Sequence, residues 1–513
     1  CALRLVKAAN GFLNPDEALH YLIAHQTSLA RVYQSSLTNA HPFLFFVLLH
    51  VWLMLGSSEL ALRLVSVLAG TAAGWFGFKW LTCRFDKSTG LGGLVLLAFD
   101  PVLVSLSAQV RQYALLLLFM AVALYTLQRA LQEGSCWMLS WFTLALLAAN
   151  VTQYSAIWFT IAVGLYGVAE VIRRRQSARW FLLWAGGQLA VVALLVFQYR
   201  THIGPMRGSA VERFAREGWL QSYYFQPGRD RFGPFLEFAA GKLFTYLFAS
   251  LTAGAVAMVL FAAGVALMLT RGCSRSGRTT GPACAPGKEE WSFGMLLLAG
   301  FGANVAAAIA GVYPFGGSRH SVFLILFAVA GISYLLGRLA GRRLHLVVLG
   351  ALLAVPLWQC GTALDEKWSY PDQGRQLMVA AVRYVRDSIP GGSLMLVDYE
   401  TSELLGYYLG RNQPTTRFST LDDGFLELPY GGYRVVSSAR WSLSPDVFRS
   451  ELRAFRHQFV LDDTTWVWVA DGCWGRGTTL DAALVAANPR YEIGSRRNFG
   501  RNLAVFQVRE AFR

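Results

Sequence analysis

Long apolar runs separated by short polar turns dominate the first 360 residues. Ten of them approach the roughly 20 residues that carry a helix across a bilayer: 59–81, 91–107, 113–131, 136–153, 155–172, 180–198, 243–269, 293–313, 321–337 and 344–361. The run 91–107 is interrupted by Asp100-Pro101, and 136–153 is the other weak span. Residues 43–55 (FLFFVLLHVWLML) are too short to span comfortably and read as an interfacial or half-buried helix. The pattern predicts an α-helical polytopic membrane protein with about ten spans.

After Trp358 the pattern turns mixed and polar, with turn signals at Pro390-Gly391-Gly392 and Gly431-Gly432. Gln376–Ser388 has the spacing of an amphipathic helix, and Val447–His457 and Leu480–Ala487 also read as helices. Leu394–Val397 and Thr465–Val469 read as short buried strands. Three segments result: a first outer loop over 1–58 with interfacial helices and an acidic motif, a transmembrane domain over 59–361, and an extracytoplasmic α/β domain over 365–513. Residues 271–290, rich in Gly, Ser and Arg, read as a flexible cytoplasmic loop. No P-loop, no GxGxxG after a strand and no internal repeat is present.

Loop charge sets the orientation. Arg84, Lys87, Arg173, Arg174, Arg175, Arg179, Arg271, Arg275, Arg278, Lys288, Arg338, Arg342 and Arg343 fall in one set of loops, thirteen cations in all. The opposite set holds Arg111 and Arg319, and its long loop 199–242 adds seven more cations. Thirteen against nine places the first set in the cytoplasm. The formal net charge of +15 is then a matter of topology, and nucleic-acid binding is not expected. The loop 199–242 would hold acceptor phosphate or lipid headgroups, or lie on the membrane surface. Ten spans put both ends outside, so residues 1–58 need a helix before Cys1 to carry them across; a first span is expected to be missing. The seven cysteines (1, 83, 136, 273, 284, 360 and 473) form no CxxC and imply neither a disulfide framework nor a zinc site.

This orientation gathers polar residues at one membrane face: Asp16 and Glu17, His41, Arg111 and Tyr113, Gln153 and Tyr154, and Arg319 and His320. Ionisable groups at membrane edges are costly unless used or paired. Two carboxylates and two arginines suit a site that holds a phosphate and activates a hydroxyl. Each also has a plainer role. Carboxylates at 16 and 17 suit a helix start, Arg111 could snorkel to the interface, and His320 could cap or pack. Glu59 and Arg63 are spaced as a structural i,i+4 pair. Asp100 reads as the N-cap of a helix restarting at Pro101, and His41 shapes the turn before Pro42. Asp16 and His20 alone make a poor metal site.

Three ordered segments, Asn14-Pro15-Asp16-Glu17-Ala18, His41-Pro42-Phe43-Leu44-Phe45-Phe46 and Ser58-Glu59-Leu60-Ala61-Leu62-Arg63-Leu64, resemble the opening of the polytopic membrane glycosyltransferases with the C-type fold. The similar branch is that of the protein O-mannosyltransferases (bacterial glycosyltransferase family 39-like) and the lipid A aminoarabinose transferase. Val110-Arg111-Gln112-Tyr113 is similar to that family's Arg-x-Tyr element, and Tyr313-Pro314-Phe315-Gly316-Gly317-Ser318-Arg319-His320 to a segment opening a later helix. The resemblance covers roughly residues 10–340.

It implies a polyprenyl-phosphate sugar donor, a lipid, glycan or protein acceptor, and an active site on the non-cytoplasmic face, in the periplasm for a bacterial inner-membrane protein. It implies that Asp16 is essential, as base or acceptor-orienting group, with Glu17 orienting it or assisting acceptor or metal binding. No cofactor is required; a divalent metal, where a relative binds one, would take Asp16 and Glu17. A phosphate leaving group needs cations, and arginine offers planar, permanently charged donors. Arg111 and Arg319 are therefore the expected donor-phosphate ligands, with Tyr113 and His320 in support. The acceptor hydroxyl needs a base, the transition state is oxocarbenium-like, and inversion is the expected outcome. The competing expectation is a transporter or flippase for a lipid-linked or anionic substrate. That reading calls for polar residues near the midplane and paired broken helices.

Overall fold

The computed structural model describes residues 1–10, 13–174, 176–274, 286–338, 346, 348–352, 354, 374–411, 419–420, 425–430, 432–438, 440, 443–472, 479–487, 491–500 and 503–510. The chain divides into two compact units. The first comprises Cys1–Ala9, Ser36–Phe45 and Arg63–Leu364; the second comprises Asn10–Ser35, Phe46–Leu62 and Asp365–Arg513.

The first unit is an integral membrane helical body. Among the described residues of the chain, seven helices are long and apolar enough to cross a membrane, or eight if one bent pair is a single span. They are Glu59–Arg84, Tyr113–Glu133, Ala156–Arg174, Ala178–Met206, Leu251–Arg271, Glu290–Ile309 and Arg319–Arg338. Two of the ten expected spans fall short for local reasons. The run 91–107 folds as Lys87–Phe99 and Pro101–Ser107, bent by 58°. The run 136–153 gives only the 15-residue helix Cys136–Asn150. The expected span 344–361 lies mostly outside the described residues. The run starting at 243 is split between Phe232–Leu247 and Leu251–Ser274, where Ala249 takes a left-handed conformation at φ 54°.

The bend at Asp100 has a clear chemical basis. Asp100 accepts from the Leu103 amide at 2.9 Å, starting the second helix with Pro101 in its first turn. Arg4, buried, donates to the carbonyls of Leu97 at 2.8 Å and Ala98 at 2.9 Å, satisfying the end of the first helix. At the other end of the bundle Glu170 is buried and receives Arg173 at 2.6 Å and Arg174 at 2.7 Å. A buried carboxylate needs such partners.

Helix exposure sorts the spans. In Arg319–Arg338, 83% of the apolar window is buried, against 22% in Ala178–Met206. The latter turns Leu182, Leu189, Val192, Val196 and Phe197 outward, as suits a lipid-facing helix. The buried helix is approached very closely by Leu251–Ser274. A Cβ added to Gly264 would lie 2.2 Å from the Gly331 carbonyl oxygen, so the two backbones touch. Small residues permit this approach where lipid offers no hydrophobic drive for helix association.

Among the described residues, the second unit carries a seven-stranded sheet in the order β2-β3-β4-β1-β5-β7-β6. Its strands are β1 (Leu394–Val397), β2 (Ser419–Thr420), β3 (Leu426–Tyr430), β4 (Tyr433–Ser437), β5 (Val467–Asp471), β6 (Tyr491–Phe499) and β7 (Leu503–Glu510). β1 runs parallel to β4 and β5, and the remaining pairs are antiparallel. The centre of the sheet is buried, through Leu396, Val436, Val469 and Phe506. Phe448, Leu452 and Phe455 of helix Pro445–Gln458 join that core. Helix Gly374–Ser388 precedes β1.

Substituting Gly264 by Val should cost about 1–3 kcal/mol, the usual penalty of overpacking. Gly302→Val, at a position with open space around it, should be nearly neutral. Thermal unfolding in detergent measures both, and equal effects would refute the backbone contact.

Candidate active site

In the second unit the acidic motif starts a helix, Pro15–Ala24. Asn14 caps it: its side chain accepts from the Glu17 amide at 3.0 Å, while Glu17 Oε2 accepts from the Asn14 amide at 3.0 Å. This reciprocal box satisfies two donors that a helix start leaves open. It also fixes the roles of neighbouring carboxylates. Glu17 is buried in the cap, and Asp16, beside it, is half-buried. His20 donates from Nδ1 to the Asp16 carbonyl at 2.6 Å, and its ring lies 5.1 Å from that of Phe46, tilted by 39°.

The helix Tyr399–Tyr408, which follows β1, packs against this acidic helix. Tyr407 meets the Tyr21 ring edge-on at 5.0 Å and donates to the Ser57 carbonyl at 2.9 Å. Tyr408 donates to Glu59 Oε1 at 2.7 Å. Tyr21 donates to the Arg411 carbonyl at 3.1 Å. Gly406 lets the helices close: a Cβ there would lie 2.9 Å from Leu22. Glu59 is therefore tied to Tyr408, and Arg63 in the first unit donates to the Ala8 carbonyl at 2.9 Å.

One carboxyl here escaped the sequence reading. Burial, then Asp398, then Asp16 push Glu400 up to about 8. Burial, then Glu403, with a smaller contribution from Asp16, push Tyr399 well above the ordinary range. Asp398 caps the helix by accepting from the Thr401 amide at 2.8 Å. The available signal was position: Asp398, Tyr399 and Glu400 directly follow a predicted strand, where α/β folds place ligand-facing groups. Among the described residues, no group of three or more His, Cys, Asp or Glu side chains is arranged to hold a metal ion.

In the first unit, Arg111 and Tyr113 are both buried. The Arg111 carbonyl accepts from Ser66 at 3.0 Å, and its guanidinium lies 5.6 Å from the Tyr113 ring centre. His41 shares a hydrogen bond with Gln153 Oε1 at 3.1 Å, and its ring lies 6.5 Å from Tyr113. Gln112 reaches the same Gln153 oxygen at 3.4 Å. Tyr154 donates to His202 Nδ1 at 2.5 Å, and His202 Nε2 donates to the Asn39 carbonyl at 2.7 Å.

Arg319 and His320 open the buried helix in a 3₁₀ turn, Arg319–Leu324. Tyr313 Oη lies 3.5 Å from His320 Nδ1. Tyr246 feels the charge of both Arg319 and Arg111. Burial raises its hydroxyl first, then Tyr113, while Arg319 and Arg111 lower it. Two arginines far apart in sequence thus act on one half-buried phenol. Sequence reasoning did not single out Tyr246, which lies in an apolar run with no local mark of its role.

Residues 40–199 match the family model for dolichyl-phosphate-mannose-protein mannosyltransferase. No curated protein sequence matches the chain. Among solved structures, ArnT from Cupriavidus metallidurans bound to undecaprenyl phosphate is similar at TM-score 0.51 and 14% identity, covering 99% of this chain and 96% of that one. Its apo state matches at TM-score 0.51 and 12% identity, over 99% and 96%. The arabinofuranosyltransferase AftD from Mycobacteria is more distant, at TM-score 0.46 and 14% identity over 100% of this chain and 39% of that one. The chain has the C-type fold of the polytopic membrane glycosyltransferases.

A carboxyl whose pKa rises on folding stabilises the protein at low pH and loses that contribution as pH climbs to the folded value. For Glu400 the loss falls between the ordinary Glu range and about pH 8. Glu400→Gln should therefore gain little at pH 5 and clearly stabilise at pH 8.5. Thermal unfolding across this range tests it, and a mutant-to-wild-type difference that does not grow with pH would contradict the assignment.

Proposed function

We propose that this protein, built on the C-type glycosyltransferase fold, moves a sugar from a polyprenyl-phosphate carrier to an envelope lipid, glycan or protein at the outer face of the membrane. The observation that carries this reading is the pair of arginines held on buried supports, Arg111 against the Tyr113 ring and Arg319 at the first turn of the buried helix. The fold supports it, because a structure of the same architecture is that of ArnT bound to undecaprenyl phosphate. The family match over 40–199 supports lipid-phosphate sugar chemistry.

The chemistry divides into two halves. On the acceptor side, Asp16 takes the proton of the attacking hydroxyl. Glu17 holds Asp16 in place through the capped helix start. The acceptor oxygen bonds to the anomeric carbon as the bond to phosphate oxygen breaks, through an oxocarbenium-like state and with inversion. On the leaving-group side, the polyprenyl phosphate departs as an anion and needs no proton. Arg111 and Arg319 balance its charge with fork-shaped donors, and Tyr113 and His320 add hydrogen bonds. We assign the protein to a bacterial inner membrane, with its acceptor chemistry in the periplasm.

The test uses full-length protein in lipid with a panel of radiolabelled polyprenyl-phosphate sugars and an envelope extract. Wild type should transfer label. Asp16→Asn should lower transfer about 100-fold or more, the scale of a lost general base. Arg319→Ala should lower it about 10- to 100-fold, the scale of a hydrogen bond to a charged group. Transfer by Asp16→Asn at the wild-type rate would remove Asp16 as base. Donor uptake into vesicles with no transfer would replace the enzyme by a transporter.

A further inference from the structure

The loop between the helices that end at Met206 and begin at Phe232 is fastened to the segment preceding Arg319. The Phe315 amide donates to the Tyr223 carbonyl at 3.0 Å, and the Phe225 amide donates to the Ala308 carbonyl at 3.3 Å. Tyr223 Oη donates to the Gly317 carbonyl at 3.4 Å. The Tyr223 ring lies directly on Gly316, where a Cβ would come within 2.1 Å of it. Leu220, three residues before, is buried. The loop is thus held in register by backbone bonds and one buried side chain.

That register sets Trp219 over the first turn of the buried helix. The Arg319 guanidinium lies 5.7 Å from the Trp219 ring centre, and the His320 ring lies 5.4 Å from it, tilted by 34°. A cation over an indole face is favourable, so Trp219 helps to set the direction of Arg319. Yet 46% of Trp219 remains exposed. A large aromatic beside a phosphate-binding arginine, fixed in place and still half open, has surface left to offer a ligand.

We infer that Trp219 is the platform on which the sugar ring of the donor stacks while Arg319 holds the phosphate. This rests on the phosphate assignment made above. In a glycosyl phosphate the sugar ring is joined to phosphorus through a single oxygen. A ligand phosphate on Arg319 therefore brings its sugar to the neighbouring aromatic. The C–H face of a sugar is apolar and carries slight positive charge, and it complements the negative face of an indole. Trp219 is thereby a determinant of donor binding, outside the acid–base chemistry.

Binding of undecaprenyl phosphate, and of undecaprenyl phosphate bearing the sugar that supports transfer, separates the outcomes. Both affinities are compared in wild type, Trp219→Ala, Trp219→Phe and Arg319→Ala. Trp219→Ala should weaken the glycosylated ligand at least tenfold and the sugar-free ligand, which loses only the orienting contact with Arg319, far less; Trp219→Phe should recover part of the loss. Arg319→Ala should weaken both ligands. Equal weakening of both by Trp219→Ala would make Trp219 a packing residue for Arg319 and overturn the proposal. No change in either would make it an interfacial anchor, with the same result. A wild type that binds neither ligand would refute the phosphate assignment itself and this inference with it.

Discussion

The membrane unit depends on a backbone contact between two helices. Gly264 on one and Gly331 on the other remove the side chains that would hold them apart. In lipid, close packing and internal hydrogen bonding replace the hydrophobic drive of water. The contact lets helix Arg319–Arg338 sit deep in the bundle. Its first turn, carrying Arg319 and His320, then starts from a rigid and buried support. A cation on such a support is pre-organised, so its hydrogen bonds to an anion cost little ordering.

The acidic helix has a comparable support in its own unit. Its start is fixed locally by the Asn14–Glu17 box. Its flank is fixed by Tyr407 and Tyr408, whose hydroxyls reach Ser57 and Glu59. The C-terminal domain is therefore part of the scaffold of the Asp16 motif, and through Glu400 it also acts on the charge there. Strands β1 and β5, the two recognised from their apolar runs, are the central parallel pair. Strands β2, β3, β4, β6 and β7 were not singled out. Several of them are short or alternate with exposed polar positions, as β6 does, so they carry little apolar signal of their own.

The comparison of spans shows the same division. Six expected spans are single apolar helices, because transfer of side chains into lipid is nearly additive along the chain. The two weak ones were weak for reasons visible in the sequence: Asp100-Pro101 bends one, and the polar Asn150-Val151-Thr152-Gln153 ends the other. The break at 248–250 was not visible, because Ala249 is an ordinary apolar residue and its left-handed conformation is imposed by the helices on either side.

What the sequence determined by itself is what depends on near neighbours: the membrane class, the helix starts at the Asp16-Glu17 pair and at Asp100, the strands of greatest apolarity, and the residue types suited to a phosphate and a hydroxyl. Caps and apolar runs act over a few residues, so they are written locally. What only the tertiary structure decided is which polar groups share a space. Arg111 and Arg319 both bear on Tyr246, which is remote from each of them in sequence; Glu400 reaches Asp16 across a far longer stretch, and Trp219 lies over Arg319 because of a loop fastened to a distant turn. No periodicity encodes these meetings, since they arise when whole helices pack and polar groups in low dielectric settle beside the partners that the packing supplies.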